Sequence, residues 1–150
     1  MSSVSPIPKY FRIISICLFG LALLLPTHCT NVQCSGFGAG FEAFFMGWIL
    51  AIFKGGVSIA WFANPVYFLS FYWARKEPFV SAVFTVIAIL IARTFLDGGE
   101  LLLNEGGQTA YITKIQIGFW VWIGSMVVLF VGLIVALVDN IKTRRTVKRK

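Results

Sequence analysis

The sequence predicts an all-α integral membrane protein: four transmembrane helices, with a short interfacial or re-entrant helix before the second crossing. Three observations predict it. Hydrophobic residues make up 58% of the chain and charged ones 13%, against about 45–50% and about 25% in ordinary soluble domains, so a water-facing surface could not be covered. The stretch from Ile115 to Val138 holds no ionisable side chain, and its 24 residues reach about 36 Å as a helix, more than a hydrocarbon core of about 30 Å. Six of the last nine residues, Lys142 to Lys150, are Lys or Arg, the pattern retained on the cytoplasmic side. At 150 residues the chain is a single membrane domain.

The first crossing is expected at about residues 10–26. Its apolar centre, Ile13 to Leu25, is short, but Tyr10 and Phe11 extend it and Arg12 can snorkel to the headgroups. Pro26 stops it. A cleaved signal peptide is the rival reading of this stretch, with Thr27 or Cys29 as the small residue near the cleavage point; Pro26 and His28 fit that poorly. The region from Phe41 to Ala74 is too long for one simple crossing and too short for two. Lys54-Gly55-Gly56 and Asn64-Pro65 interrupt it. It reads as an interfacial helix at about 41–53 followed by a crossing at about 57–74, kinked where Pro65 removes a backbone donor and biases Asn64 away from the helical region.

The third and fourth crossings fall at about 78–96 and 115–138, with a basic cytoplasmic tail at 139–150. Of the tail, Lys142 to Lys150 reads as disordered. Four crossings from a cytoplasmic N-terminus put Arg75, Lys76 and the tail inside, and the acidic loop of Asp97, Glu100 and Glu105 outside. Five crossings would break that pattern. The formal charge of +7 therefore reports threading in a bacterial-type inner membrane; with no basic face interleaved with aromatics, nucleic acid is not an expected partner.

Chemistry-bearing residues are few. Ala39, Ala43, Gly47, Ala51 and Gly55 recur every fourth position, giving a helix strip without bulky side chains, suited to close packing within the chain or against a partner. Asn64, Pro65 and Lys54 form a candidate intramembrane polar site, because a broken helix exposes carbonyls that need partners. Cys29 and Cys34, in the first outer loop, can close a small disulfide, while Cys17 reads as a small buried hydrophobe. The acidic loop reads as a solvated turn.

Four crossings with cysteines just after the first resemble, in outline, the quinone-linked disulfide-generating membrane oxidases of bacteria. That resemblance implies a reactive C-x-x-C pair and a second pair in the other outer loop. Here the spacing is C-x4-C and residues 97–114 contain no cysteine. A thiol-disulfide redox role is thus the most distant alternative.

A single histidine, His28, leaves no bis-His haem or catalytic zinc set, and no P-loop, G-x-S-x-G or H-E-x-x-H occurs. No enzyme activity, cofactor or metal is expected. The function expected is that of a non-catalytic structural or accessory subunit binding another membrane protein or itself, with anionic lipid headgroups at the basic tail. The alternative is a small transporter or channel component with its site beside the broken second crossing.

Overall fold

The computed structural model describes residues 7–53, 56–102 and 109–148. It is mostly helical. The α-helices are α1 (Lys9–Leu24), α2 (Ala39–Phe53), α3 (Ala63–Trp73), α4 (Pro78–Arg93) and α5 (Ile117–Lys148). A 3-10 helix, Gly56–Phe62, leads into α3, and a 3-10 turn, Thr94–Asp97, extends α4. Pro26 ends α1 by holding Leu25 extended, at φ −88° and ψ 154°. Pro78 opens α4 at a first-turn position, where its missing N–H costs nothing.

The helices α1 and α5 run antiparallel and share the largest helix contact. Three levels record their register: Phe11 fills the space over Gly132, Ser15 Oγ donates to the Ser125 carbonyl at 2.6 Å, and Gly118 N donates to the Pro26 carbonyl at 2.9 Å. In turn α3 and α4 form an antiparallel hairpin that packs on α5 through α4.

The all-α expectation requires correction. A three-stranded antiparallel sheet, β1 (His28–Thr30), β3 (Thr109–Ile115) and β2 (Glu100–Leu102) in that order, closes one end of the bundle. The pairs His28↔Ile115 and Glu100↔Tyr111 set its register. Of the acidic residues, Asp97 ends the 3-10 turn and Glu100 opens β2, both exposed, and Tyr111 Oη donates to Glu100 Oε1 at 2.6 Å; Glu105 lies outside the described residues.

Other boundaries also moved. The region expected to form a second crossing is a 3-10 segment followed by an 11-residue helix, and Pro65, in the first turn of α3, marks that junction without kinking a continuous helix. Ile115 belongs to β3, so the last helix begins at Ile117. The basic tail is helical through Lys148: Lys and Arg are good helix formers, and positive charge near a helix C-terminus is favourable. Cys17 lies exposed on α1. Among the described residues two helical stretches, Pro78–Asp97 and Ile117–Thr143, are long and apolar enough to cross a membrane. The 16 residues of α1 and 11 of α3 fall below the about 20 that a simple crossing takes.

Packing is inverted relative to a water-soluble domain. The fully buried positions include Ala63, Ala74, Ala88, Ala92, Ser15, Ser70, Ser81, Thr85 and Ser125, whereas Ile13, Phe79 and Leu90 are 61%, 67% and 57% exposed. Small and hydroxyl-bearing residues thus share the interior with a few large side chains, Tyr67, Met126, Leu129 and Leu133, while many large apolar residues face out.

Helix α2 lies against the end of α1 where Gly40 meets backbone: a Cβ there would sit 2.8 Å from Leu23 Cα and would clash with the Ala22 carbonyl. Gly40→Ala should therefore lower the thermal midpoint in detergent by an amount equivalent to about 1–3 kcal/mol, the usual cost of overpacking. The matched control is Gly20→Ala, in open space on α1, expected to be neutral or to stabilise by up to about 1 kcal/mol through helix propensity. Equal effects at the two positions would contradict the α1–α2 contact.

Candidate functional site

At the sheet end, α1, α2, the Gly56–Phe62 3-10 helix and α5 surround a cavity of about 150 Å³. Each element contributes one face, at its own period. From α1 come Phe19, Ala22 and Leu23, and from α2 Gly40, Ala43, Phe44 and Gly47, at the i, i+3, i+4, i+7 spacing of an α-helical face. The 3-10 segment and the start of α3 supply Ser58, Trp61 and Asn64. These are three apart, and at 3.0 residues per turn positions i and i+3 eclipse. In an α-helix Ser58 and Asn64 would point to different sides.

Space comes from glycine and alanine. A Cβ on Gly47 would meet the Trp61 ring, with Cγ at 3.0 Å, so the absence of a side chain lets the indole lie against α2, where its Nε1 donates to the Phe44 carbonyl at 2.6 Å. A Cβ on Gly118 would come within 2.6 Å of the Pro26 carbonyl; glycine there lets α5 start beside the end of α1.

Polar groups on the wall are sparse and individually held. Trp122 Nε1 donates to Asn64 Oδ1 at 3.0 Å, and Asn64 is 6% exposed. At the sheet side, Thr27 Oγ1 lies 2.8 Å from His28 Nδ1, while the Thr27 and His28 amides both donate to Ser35 Oγ, at 2.9 and 3.1 Å. The Phe95 ring meets His28 edge-on and stacks on Phe119. Burial pushes the His28 imidazole below its ordinary value, which keeps the ring neutral at pH 7.

Next to this wall Cys29 and Cys34 are joined in a disulfide, with Gln116 Nε2 2.7 Å from Cys29 Sγ. This bond closes the turn after β1, where Thr30 N and Oγ1 both donate to the Gln33 carbonyl, at 2.8 and 2.9 Å. Among the described residues no three His, Cys, Asp or Glu side chains lie close enough together to hold a metal ion.

Of the residues singled out in the sequence, Ala43, Gly47 and Asn64 meet at the cavity. Ala51 is buried on α2, Ala39 is half-buried at its start, and Pro65 is exposed. Lys54 and Gly55 lie outside the described residues. The strip thus faces two surroundings, Trp61 at Gly47 and the cavity at Ala43.

His28, Ser58, Trp61, Phe119 and Trp122 escaped the sequence reading as wall residues. Only Ser58-x-x-Trp61-x-x-Asn64 carried a usable signal, a period of three before a proline.

The chain matches no family model. Comparison with curated proteins and with solved structures likewise returns no match.

Two outcomes follow from this geometry. Gly47→Leu should displace Trp61 and lower thermal stability in detergent by about 1–3 kcal/mol with no change in oligomeric state; a shift in oligomeric state would assign the strip to a second subunit. Alkylation of unreduced protein made in an oxidising compartment should label Cys17 and leave Cys29 and Cys34 unmodified, and labelling at either of the latter pair would contradict the disulfide.

Proposed function

We propose that this chain is a four-crossing inner-membrane protein with both termini cytoplasmic, acting without catalysis as a small accessory subunit that binds another membrane protein or a second copy of itself. The observation that carries this reading is the inverted packing. Lipid tails are as apolar as leucine, so membrane helices associate through small residues and interhelical hydrogen bonds while large apolar side chains face outward. The fully buried Ser70, Ser81 and Thr85 between α3 and α4, and Ser15 and Ser125 between α1 and α5, follow that rule on helices too short for a simple crossing as well as on the long ones.

On this reading the sheet end lies outside and the 3-10 segment together with α3 completes the second crossing. With a rise of about 2.0 Å per 3-10 residue and 1.5 Å per α residue, its 7 and 11 residues span about 30 Å if coaxial, which matches the hydrocarbon core. Helix α2 then lies at the outer interface, since its first turn sits beside Leu23 at the outer end of α1. At the opposite face the 32-residue α5, about 48 Å long, carries its basic residues beyond the bundle, where anionic headgroups or a partner's acidic surface can meet them.

A second reading, a small transporter or channel component, is favoured by one observation: the cavity beside the broken second crossing includes Asn64 in its wall.

Threading is the direct test. A reporter active only in the cytoplasm should work when fused after Lys150 or inserted after Lys76 and stay silent when inserted after Gly106. Silence at Lys150 would end the four-crossing proposal. For the subunit reading, light scattering of protein extracted in mild detergent should give a protein mass above the monomer's 16.7 kDa, and a strictly monomeric species without a co-purifying protein would remove it.

A further inference from the structure

The sheet-end cavity has a composition that specifies what it can hold. Its volume of about 150 Å³ is the size at which an apolar protein cavity takes up a benzene-sized molecule. Among the described residues no Lys, Arg, Asp or Glu lines it, so an ionised ligand would be stripped of water with no counter-charge from them. Six aromatic rings, Phe19, Phe44, Trp61, Phe95, Phe119 and Trp122, stand in its wall, and such rings favour offset-stacked or edge-on contact with another flat ring.

The deciding group is Asn64. Trp122 Nε1 can only donate, so the Asn64 carbonyl oxygen must face it, and the hydrogen bond of 3.0 Å fixes that orientation. The carboxamide Nδ2 is then left as a donor on a side chain that is 94% buried and lines the cavity, with no hydrogen-bond partner among the described residues. Among the described residues the buried side-chain atom without a partner is Arg12 Nε, so Asn64 Nδ2 is not sealed in and is reachable where the side chain lines the cavity. The indole N–H of Trp61 is already committed to the Phe44 carbonyl, which leaves the Asn64 carboxamide, together with the Ser58 hydroxyl on the same wall, to donate to an incoming oxygen.

We propose that this cavity binds the flat, uncharged head of an apolar molecule, a ring of about benzene size carrying a carbonyl oxygen that accepts a hydrogen bond from Asn64 Nδ2. The cavity is partly open, so an apolar tail on that ring can extend out of it. The proposal deepens the transporter reading above, and its test is independent of threading because binding is read on purified protein.

The experiment is equilibrium dialysis of the full chain in lipid nanodiscs against empty nanodiscs, with acetophenone and with cumene, its near-isostere lacking the carbonyl. Wild type should bind acetophenone about tenfold more tightly than cumene, a difference corresponding to about 1.4 kcal/mol. Asn64→Leu should abolish that preference. Ala43→Phe, which fills the cavity from α2 without touching a hydrogen bond, should weaken both ligands at least tenfold with an unchanged melting temperature. It decides the matter should Asn64→Leu, which also strips Trp122 of its acceptor, fail to fold.

Equal affinity for the two probes in wild type would mean that water satisfies Asn64, and would overturn the proposal. So would binding undiminished in Ala43→Phe, or tighter binding of octan-2-one than of acetophenone, which would assign the cavity to a linear acyl chain. Failure of binding with the threading reporters as expected would leave the membrane reading standing, and the reverse result would separate the two in the other direction.

Discussion

One hydrogen-bonded chain through the bundle centre holds the remaining parts in register. Ser15 Oγ gives its single proton to the Ser125 carbonyl at 2.6 Å, so the 2.5 Å contact between Ser15 Oγ and Tyr67 Oη must be donated by tyrosine. Ser125 Oγ in turn donates to the Trp122 carbonyl at 2.6 Å, and the Trp122 indole reaches Asn64 at 3.0 Å. Three helices, α1, α3 and α5, are thereby fixed at one level. Each bond is worth on the order of 1 kcal/mol or less net, but Ser15, Tyr67, Ser125 and Asn64 are buried and Trp122 is partly so, so removing one leaves its partner unsatisfied in a low-dielectric interior. The network and the cavity share Trp122 and Asn64, so the geometry of the wall is inherited from the bundle core.

A second polar node does for α3 and α4 what the first does for α1 and α5. Ser81 Oγ donates to the Ser70 carbonyl at 2.8 Å and Thr85 Oγ1 to the Ser81 carbonyl at 2.9 Å. With those two protons placed, the shortest remaining contact, 2.6 Å between Ser70 Oγ and Thr85 Oγ1, is donated by Ser70. Hydroxyls so arranged let alanine-lined surfaces approach closely, and Ala63, Ala74, Ala88 and Ala92 at zero exposure are the result. At the sheet end a different device operates: β3 pairs with strands on both sides, and the Gln116 and Gly118 amides donate to the Thr27 and Pro26 carbonyls at 2.9 Å. Backbone hydrogen bonds there tie the start of α5 to the end of α1.

Helicity was legible because it is written locally, in apolar runs bounded by Pro26, by Pro78 and by the charged pair Arg75-Lys76. The sheet was not. Its strands are three to seven residues long, too short for a period-two signal, and β1 finds its partner more than eighty positions away, a separation no window reads. The polar nodes were hidden for a related reason: single serines in apolar runs look incidental until the helix carrying the other half of the bond is beside them. Of the candidate site, Ala43, Gly47 and Asn64 could be named from spacing and from the proline that follows Asn64. His28, Phe119 and Trp122 could not, since they reach the wall only through the α1–α5 pairing. The helical tail was misread because Lys and Arg serve a helix end as well as they serve a disordered segment.

The turn of 3-10 helix before Pro65 explains why the site lies where it does. An α-helix entering that proline would need its N–H for the carbonyl of Trp61, four residues earlier, and would place Ser58 and Asn64 two-thirds of a turn apart, on different faces. A 3-10 segment instead aligns Ser58, Trp61 and Asn64 in one row and hands over to the α-helix at Ala63, so that Pro65 falls within the first turn, where the donor it lacks is not required. The proline and the row of wall residues are therefore one feature. A sequence restoring α geometry here would improve the helix and turn Asn64 away from Trp122, which would disconnect the central network from the cavity in a single step.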